Sequence, residues 1–448
     1  MIKRIRNRIS NDQNVSDILS KGGISFFSRL LSFFISYIFL LFVSNFFSEQ
    51  AVGLYQLSNS ILIISALVVS LGFQRSIVRF ASSLKEKGKY LECYNLIISF
   101  LKRIIPIGVA LGIVCFFFAE ELSIKVFKDI EMRECLMIVG ITLPFFTLYL
   151  IFVELFRSFQ QFKRSEFFKY ILVWLIAIIL CLSFFYTFRS NWAPLLAYAL
   201  ATILTFLVML PLVVKDLKEL KRSGLGGSVK ELDLRSYFKI SAPMIITGLS
   251  FIFLIRMDFI MLGIFQNVSI EEVGIYGVAV KMGVLANFGN NAIQRMAAPR
   301  ISAMFWDGKM DQLRKLLTRL KQVNLIFTLP VCVILFTFPE FILSFFGEEY
   351  KSGVHVMRII TAAYFINAFF GLSGVFMNMT GNERPFSLIL IITLTINLVL
   401  NILLIPHYGM LGPAYSTLLC FFLWNITTTI FMQIKYKLKM YYIPFLTD

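Results

Sequence analysis

The sequence predicts an all-α polytopic membrane protein, with twelve transmembrane helices in two pseudo-symmetric lobes of six. Composition is the first reason. The chain has 448 residues, 58% hydrophobic and 15% charged, with 49 Phe. Its mean hydropathy is +0.78. Soluble domains run at roughly 45–50% apolar and about 25% charged. Run length is the second reason: the apolar stretches far exceed the roughly ten alternating residues of a barrel strand. The third reason is an internal repeat. Val52-Gly53-Leu54-Tyr55 returns as Val273-Gly274-Ile275-Tyr276, 221 positions later. Gln74-Arg75 returns as Gln294-Arg295 and Gly88-Lys89 as Gly308-Lys309, each 220 later; Pro194 returns as Pro413, 219 later. Several landmarks holding one offset near half the length imply two homologous halves.

The basic start, Lys3-Arg4-Ile5-Arg6-Asn7-Arg8, resembles a signal peptide, but the apolar run continues to Phe47 without a small-residue cleavage site. An uncleaved first span follows from this. The first half supplies spans near 22–46, 57–80, 96–119, 135–156, 167–188 and 192–214. The second half supplies 238–265, 273–296, 323–346, 354–379, 386–405 and 411–434. Each approaches the ~20 residues that cross ~30 Å of hydrocarbon. The expected organisation is an N-terminal lobe over 1–214, a cytoplasmic linker over 215–237 and a C-terminal lobe over 238–448. The linker holds Lys221-Arg222-Ser223-Gly224-Leu225-Gly226-Gly227, read as a flexible joint. Lys and Arg concentrate in the even-numbered connections and both tails, while the odd-numbered connections are acidic. Positive-inside then places both termini in the cytoplasm, in a cell (inner) membrane. The net charge of +17 requires only anionic membrane lipids as partners, and no nucleic acid.

Catalytic chemistry finds little support. The two histidines, His355 and His407, are far apart, and no nucleophile elbow, zinc or P-loop spacing occurs. No cofactor or metal is expected. The six cysteines include no C-x-x-C pair and read as small buried apolar residues.

Polar residues inside the spans are costly in lipid and mark function by default. Ser25, Ser28, Arg29, Ser32 and Ser36 share a sector of about 100° on the first span. Arg29 either faces a cavity or snorkels to the cytoplasmic surface. Arg75 and Arg79, one turn apart on the second span, carry the same two readings. The eighth span is more polar: Lys281, Asn287, Asn290, Asn291, Gln294 and Arg295 extend through membrane depth, which snorkelling alone does not explain. Lys281, Asn287, Asn291, Gln294 and Arg295, with Arg29, Arg75 and Arg79, are the candidate cargo-binding set. Asp258, on the seventh span and sharing a face with Thr247 and Ser250, is the deepest acid. It is a candidate ion-coupling residue, for Na⁺ or H⁺, or one half of a structural ion pair. Arg256 points nearly opposite. Glu154, three residues before Arg157, reads as a surface pair near the cytoplasm.

Three runs then carry a resemblance. They are Arg256-Met257-Asp258 through Gly263 with Val273-Gly274-Ile275-Tyr276 and Ala279-Val280-Lys281; Gly53-Leu54-Tyr55 with Leu71-Gly72-Phe73 and Arg75; and Asn397-Leu398-Val399-Leu400-Asn401 with Leu404-Ile405-Pro406-His407-Tyr408-Gly409-Met410-Leu411-Gly412. The chain resembles the polysaccharide-transporter (Wzx-type flippase) branch of the multidrug/oligosaccharidyl-lipid/polysaccharide exporter (MOP) superfamily, with Pro413 standing where that pattern has Ala. The resemblance implies a MATE-like fold with a central cavity that rocks between inward-open and outward-open states. Its implied cargo is a polyprenyl-diphosphate-linked oligosaccharide of O-antigen (lipopolysaccharide) or capsule type, moved to the outer leaflet. A glycan polymerase and glycosyltransferases of the same pathway are the implied partners. The chemistry agrees: Arg forks bind phosphate oxygens bidentately, and the spans hold more cations than acids. The rivals are a drug or metabolite exporter of the same superfamily, for which intramembrane acids should outnumber bases, and a membrane glycan polymerase, ligase or acyltransferase.

Overall fold

The computed structural model describes residues 31, 33–70, 73–224 and 234–438, with the side chains of 75, 76, 79, 234–245 and 247 left out of that description. Helices form the fold, without strands among the described residues. In the first half they are α1 (Phe33–Phe46), α2 (Glu49–Val69), α3 (Phe73–Glu86), α4 (Tyr90–Phe117), α5 (Met132–Ser158), α6 (Phe162–Thr187, with a π-turn over Phe168–Leu172) and α7 (Ala193–Ser223). In the second half they are α8 (Leu234–Ile264), α9 (Ile270–Gly283), α10 (Phe288–Trp306), α11 (Met310–Thr337), α12 (Val354–Phe370), α13 (Ser373–Met379), α14 (Glu383–Tyr408) and α15 (Leu411–Tyr436). Nine helices among the described residues are long and apolar enough to cross a membrane.

Of the linker expected over 215–237, the residues up to Ser223 continue α7 and those from Leu234 begin α8, while 225–233 lie outside the described residues. The extension holds because Leu217 and Leu220 stay buried and Lys221 lies over the Tyr94 ring at 5.7 Å. The eighth span is broken. A 3-10 turn over Val284–Asn287 separates α9 from α10.

The connections gather at two ends, as alternating spans require. At one end, the Ser48 hydroxyl donates to Asn191 Oδ1 (2.7 Å), and Asn191 Nδ2 donates to Gln50 Oε1 (3.0 Å) and Glu131 Oε2 (2.9 Å). This unites the first, third and fifth connections at an acidic end. At the opposite, basic end Ser82 Oγ donates to the Ser158 carbonyl at 3.1 Å, Lys85 caps the Phe159 ring at 5.2 Å, and Gln161 Nε2 donates to Asp216 Oδ2 at 3.0 Å.

The repeat becomes a contact. α2 and α9 cross near the acidic end, where a Cβ on Gly53 would collide with the Ile270 carbonyl. A Cβ on Gly274 would collide with the Glu49 carbonyl and lie 2.9 Å from Gly53 N. Glu49 and Ile270 are themselves 221 positions apart, so the two collisions are one contact seen from either half of a pseudo-two-fold. The caps are twins as well. Ser48 accepts from Ala51 N, and Ser269 accepts from Glu272 N in a full capping box. Only glycine lets two helix backbones approach this closely in a bilayer.

Candidate functional site

Asp258 lies on α8, 4% exposed. Its carboxylate accepts from Asn401 Nδ2 (3.0 Å), the Tyr276 hydroxyl (2.9 Å) and the Thr417 hydroxyl (2.8 Å). The partners come from α14, α9 and α15, not from Ser250 on its own helix; the side chain of Thr247 lies outside the described residues. Asn401 Nδ2 also reaches Asn397 Oδ1 at 3.3 Å, and Asn397 Nδ2 donates to Ser416 Oγ at 2.8 Å. Both amides of the N-x-x-L-N run thus serve the Asp258 site, four residues apart on one face of α14. Among the described residues these donors are neutral side chains. Asn401 Oδ1 is buried without a hydrogen-bond partner.

The cations of this region point the other way, toward the first half. Arg256 lies within electrostatic reach of Tyr55, Tyr198 and Tyr364. Lys281 on α9 donates from Nζ to the Ser36 carbonyl of α1 at 2.8 Å, and the Tyr37 hydroxyl donates back to the Lys281 carbonyl. The Lys281 ammonium sits 4.9 Å from the centroid of the Tyr37 ring and 6.0 Å from that of Trp174. Trp174 packs on Tyr198 (5.4 Å) and Tyr198 on Tyr55 (5.9 Å). One half therefore supplies guanidinium and ammonium, and the other mainly aromatic faces, a pairing favoured by ring quadrupoles and strongest when desolvated. Arg256 is a residue the candidate set omitted. The signal available was its position two residues from Asp258, which puts the two side chains on opposing faces of one helix.

The remaining candidates divide. Asn291 and Arg295 are exposed on α10 and Gln294 is partly so, its Nε2 donating to the Gly371 carbonyl at 3.3 Å. Asn287 is not on that open face. It is buried inside the second half, where its Oδ1 accepts from Asn290 (2.9 Å) and Asn367 (3.4 Å). The 3-10 turn explains the difference: it advances about 120° per residue against about 100° in an α-helix, so four residues rotate the phase by about 80°. Arg29 lies outside the described residues, as do the side chains of Arg75 and Arg79. Among the described residues α1 meets α10 where Phe33 packs on Phe288 with centroids 5.5 Å apart. Glu154 is more than a surface partner of Arg157. Arg157 bridges it (2.8 Å) to Glu166, which is 1% exposed, and Lys169 completes the group at 3.4 Å from Glu154. The Tyr149 hydroxyl, 3.4 Å from the Phe168 and Lys169 carbonyls, braces the π-turn that positions Lys169. All six cysteines are free, and five are buried.

A two-halved helical bundle with a deep carboxylate in one half and cations at the junction defines the class: a polytopic helical membrane protein of the MOP/MATE fold. Solved structures agree. An inward-facing multidrug MATE transporter superposes with a TM-score of 0.72 at 14% identity, covering 91% of this chain and 94% of that one. The lipid II flippase MurJ in an inward closed conformation gives 0.70 at 17% identity, covering 93% and 87%. Within that class, residues 18–305 match the family model for polysaccharide biosynthesis protein, and the chain belongs to that family. Residues 243–403 also match the MatE model. Among curated relatives from Haloferax volcanii, the probable flippase AglR is 30% identical over 174 residues, 38% of this chain and 36% of AglR. The probable low-salt glycan biosynthesis flippase Agl15 is 22% identical over 188 residues, 42% of this chain and 39% of Agl15. The matched regions thus span under half the length of these relatives.

Proposed function

We propose that this protein is a flippase that moves a polyprenyl-diphosphate-linked oligosaccharide across the membrane by alternating access. The observation that carries the reading is the junction of Arg256 and Lys281 with Tyr37, Tyr55, Trp174 and Tyr198. A diphosphate needs guanidinium and ammonium donors, and a sugar needs polar and aromatic walls, while the lipid tail stays in the bilayer. Family membership and the names of the curated relatives support a glycan cargo over a cationic drug. The repeat unit, O-antigen, capsule or another glycan, follows from neither. Arg295, Asn291 and Gln294 extend the polar surface along α10 toward the basic end, which under positive-inside is cytoplasmic. On this reading the Gly53–Gly274 crossing lies at the outer end, where cargo would leave.

Ion coupling belongs to Asp258. An acid held by neutral donors, with the orphan Asn401 Oδ1 beside it, leaves an uncompensated negative charge that Na⁺ or H⁺ can neutralise. The test is transport by reconstituted protein under imposed Na⁺ or H⁺ gradients. Asp258→Asn should still bind lipid diphosphate yet lose the gradient dependence; unchanged dependence in a folded variant would refute coupling.

A further inference from the structure

A ladder of buried amides crosses the second half and is not accounted for by cargo or by the Asp258 site. Asn425 on α15 donates to Asn367 on α12 (3.3 Å), and Asn367 to Asn287 (3.4 Å). Asn290 donates to Asn287 (2.9 Å), Asn324 on α11 to Asn290 (3.1 Å), and Asn324 also to the Ala368 carbonyl (2.7 Å). All five are 7% exposed or less. Satisfied amides could simply join helices. One rung is not: Asn324 Oδ1 is buried without a partner among the described residues, as are Thr328 Oγ1 one turn on along α11, Trp424 Nε1 and Thr429 Oγ1 beside Asn425 on α15, and Asn401 Oδ1 at the Asp258 end. A buried polar atom in an apolar lobe costs free energy unless water or an ion meets it. Unmet polar atoms at both the Asn324 and the Asn425 rungs, donors and acceptors alike, are what bound water satisfies, and they point to a hydrated path.

The path has two ends. At one, Thr417 holds Asp258. Asn425 lies eight residues further on α15, about 12 Å along the axis. Tyr364 bridges the gap, within electrostatic reach of Asp258 and packed on Phe421 at 5.2 Å, three residues before Asn367 on α12. At the other end, Asn290 adjoins the exposed Asn291, and Gln294 reaches the Gly371 carbonyl. The rungs are neutral amide oxygens. Small cations would pass such rungs without lodging, then settle at the carboxylate; weak sites leading to a strong one are what passage requires.

We infer that this ladder is a water-filled access route for a small monovalent cation, Na⁺ or hydronium, between the α10 face and Asp258, reaching the carboxylate past Tyr364 at the edge of the cargo junction. The inference rests on the coupling role proposed for Asp258, and the test separates the two. With full-length protein in liposomes, hydroxyl-radical footprinting reads water beside buried side chains. Tyr364 and Phe421 should be labelled despite their burial, and labelling should be lost in Asn367→Leu/Asn425→Leu and kept in Asn367→Ser/Asn425→Ser. Tryptophan emission after a Na⁺ jump at constant pH, or a pH jump without Na⁺, tells the two cations apart. Its response should slow severalfold in the Leu pair and vanish in Asp258→Asn. Unlabelled rings in the wild-type protein, a reading that needs no variant to fold, would overturn the route and leave coupling intact. Labelled rings with an unaltered response in Asp258→Asn would instead overturn coupling, and with it the use of the route.

Discussion

Asp258 and Arg256, two residues apart, do opposite work because a helix sends them to opposing sides. Asp258 is gripped by donors from three other helices, 18, 143 and 159 residues away. That distance is why its depth was legible in the sequence and its partners were not: a helical wheel reports neighbours on one helix only. The N-x-x-L-N run was visible as a family motif, yet nothing local says that Asn401 turns toward α8. Thr417→Val should cost roughly 1–3 kcal/mol, since it leaves a buried carboxylate short of a donor; a fall in the thermal unfolding midpoint of detergent-purified protein checks this. Arg256→Lys keeps the charge and removes the planar fork that binds phosphate and stacks on rings. Transport of lipid diphosphate should drop with protein level unchanged, and transport equal to wild type would argue against a phosphate contact at this position.

At the scale of elements, the sequence displayed the twin motifs but not that they touch. Repeats mark homology; only packing shows that Gly53 and Gly274 meet on the pseudo-two-fold. Gly53→Ala should destabilise the crossing at the acidic end, because the added methyl meets backbone at Ile270 rather than a movable side chain. Thiol labelling at a cysteine placed at Ser44, buried beside Asn45, whose Nδ2 donates to the Phe345 carbonyl of the other half at 2.9 Å, should rise in the variant. Unchanged labelling would mean the crossing does not hold this end shut. Ser269→Ala removes the capping box of α9 and should cost about 1 kcal/mol. A single 100° period does not carry across the 3-10 turn of the eighth span, so Asn287 is buried while Asn291 and Arg295, beyond the turn on α10, are exposed.

For the whole molecule, composition and run length sufficed for helices in a membrane, and charge alternation anticipated the two ends at which the connections gather. Orientation is tested by single cysteines in a cysteine-free background: one at Ser190 should react with an impermeant thiol reagent from outside, and one at Lys163 only after permeabilisation. In the linker, the helical register of Leu217 and Leu220 carries α7 on to Ser223, while Leu225, Gly226 and Gly227 lie outside the described residues. The central claim is that the cationic, aromatic junction between the halves carries an anionic lipid-linked glycan. Its most direct measurement follows a fluorescent polyprenyl-diphosphate oligosaccharide in proteoliposomes, with a membrane-impermeant quencher reporting the leaflet. The wild-type protein should move the lipid to the quencher-accessible leaflet, and Arg256→Gln/Lys281→Gln should abolish that movement while remaining folded. Full movement by the double variant, or movement of a cationic dye in preference to the lipid diphosphate, would contradict the account.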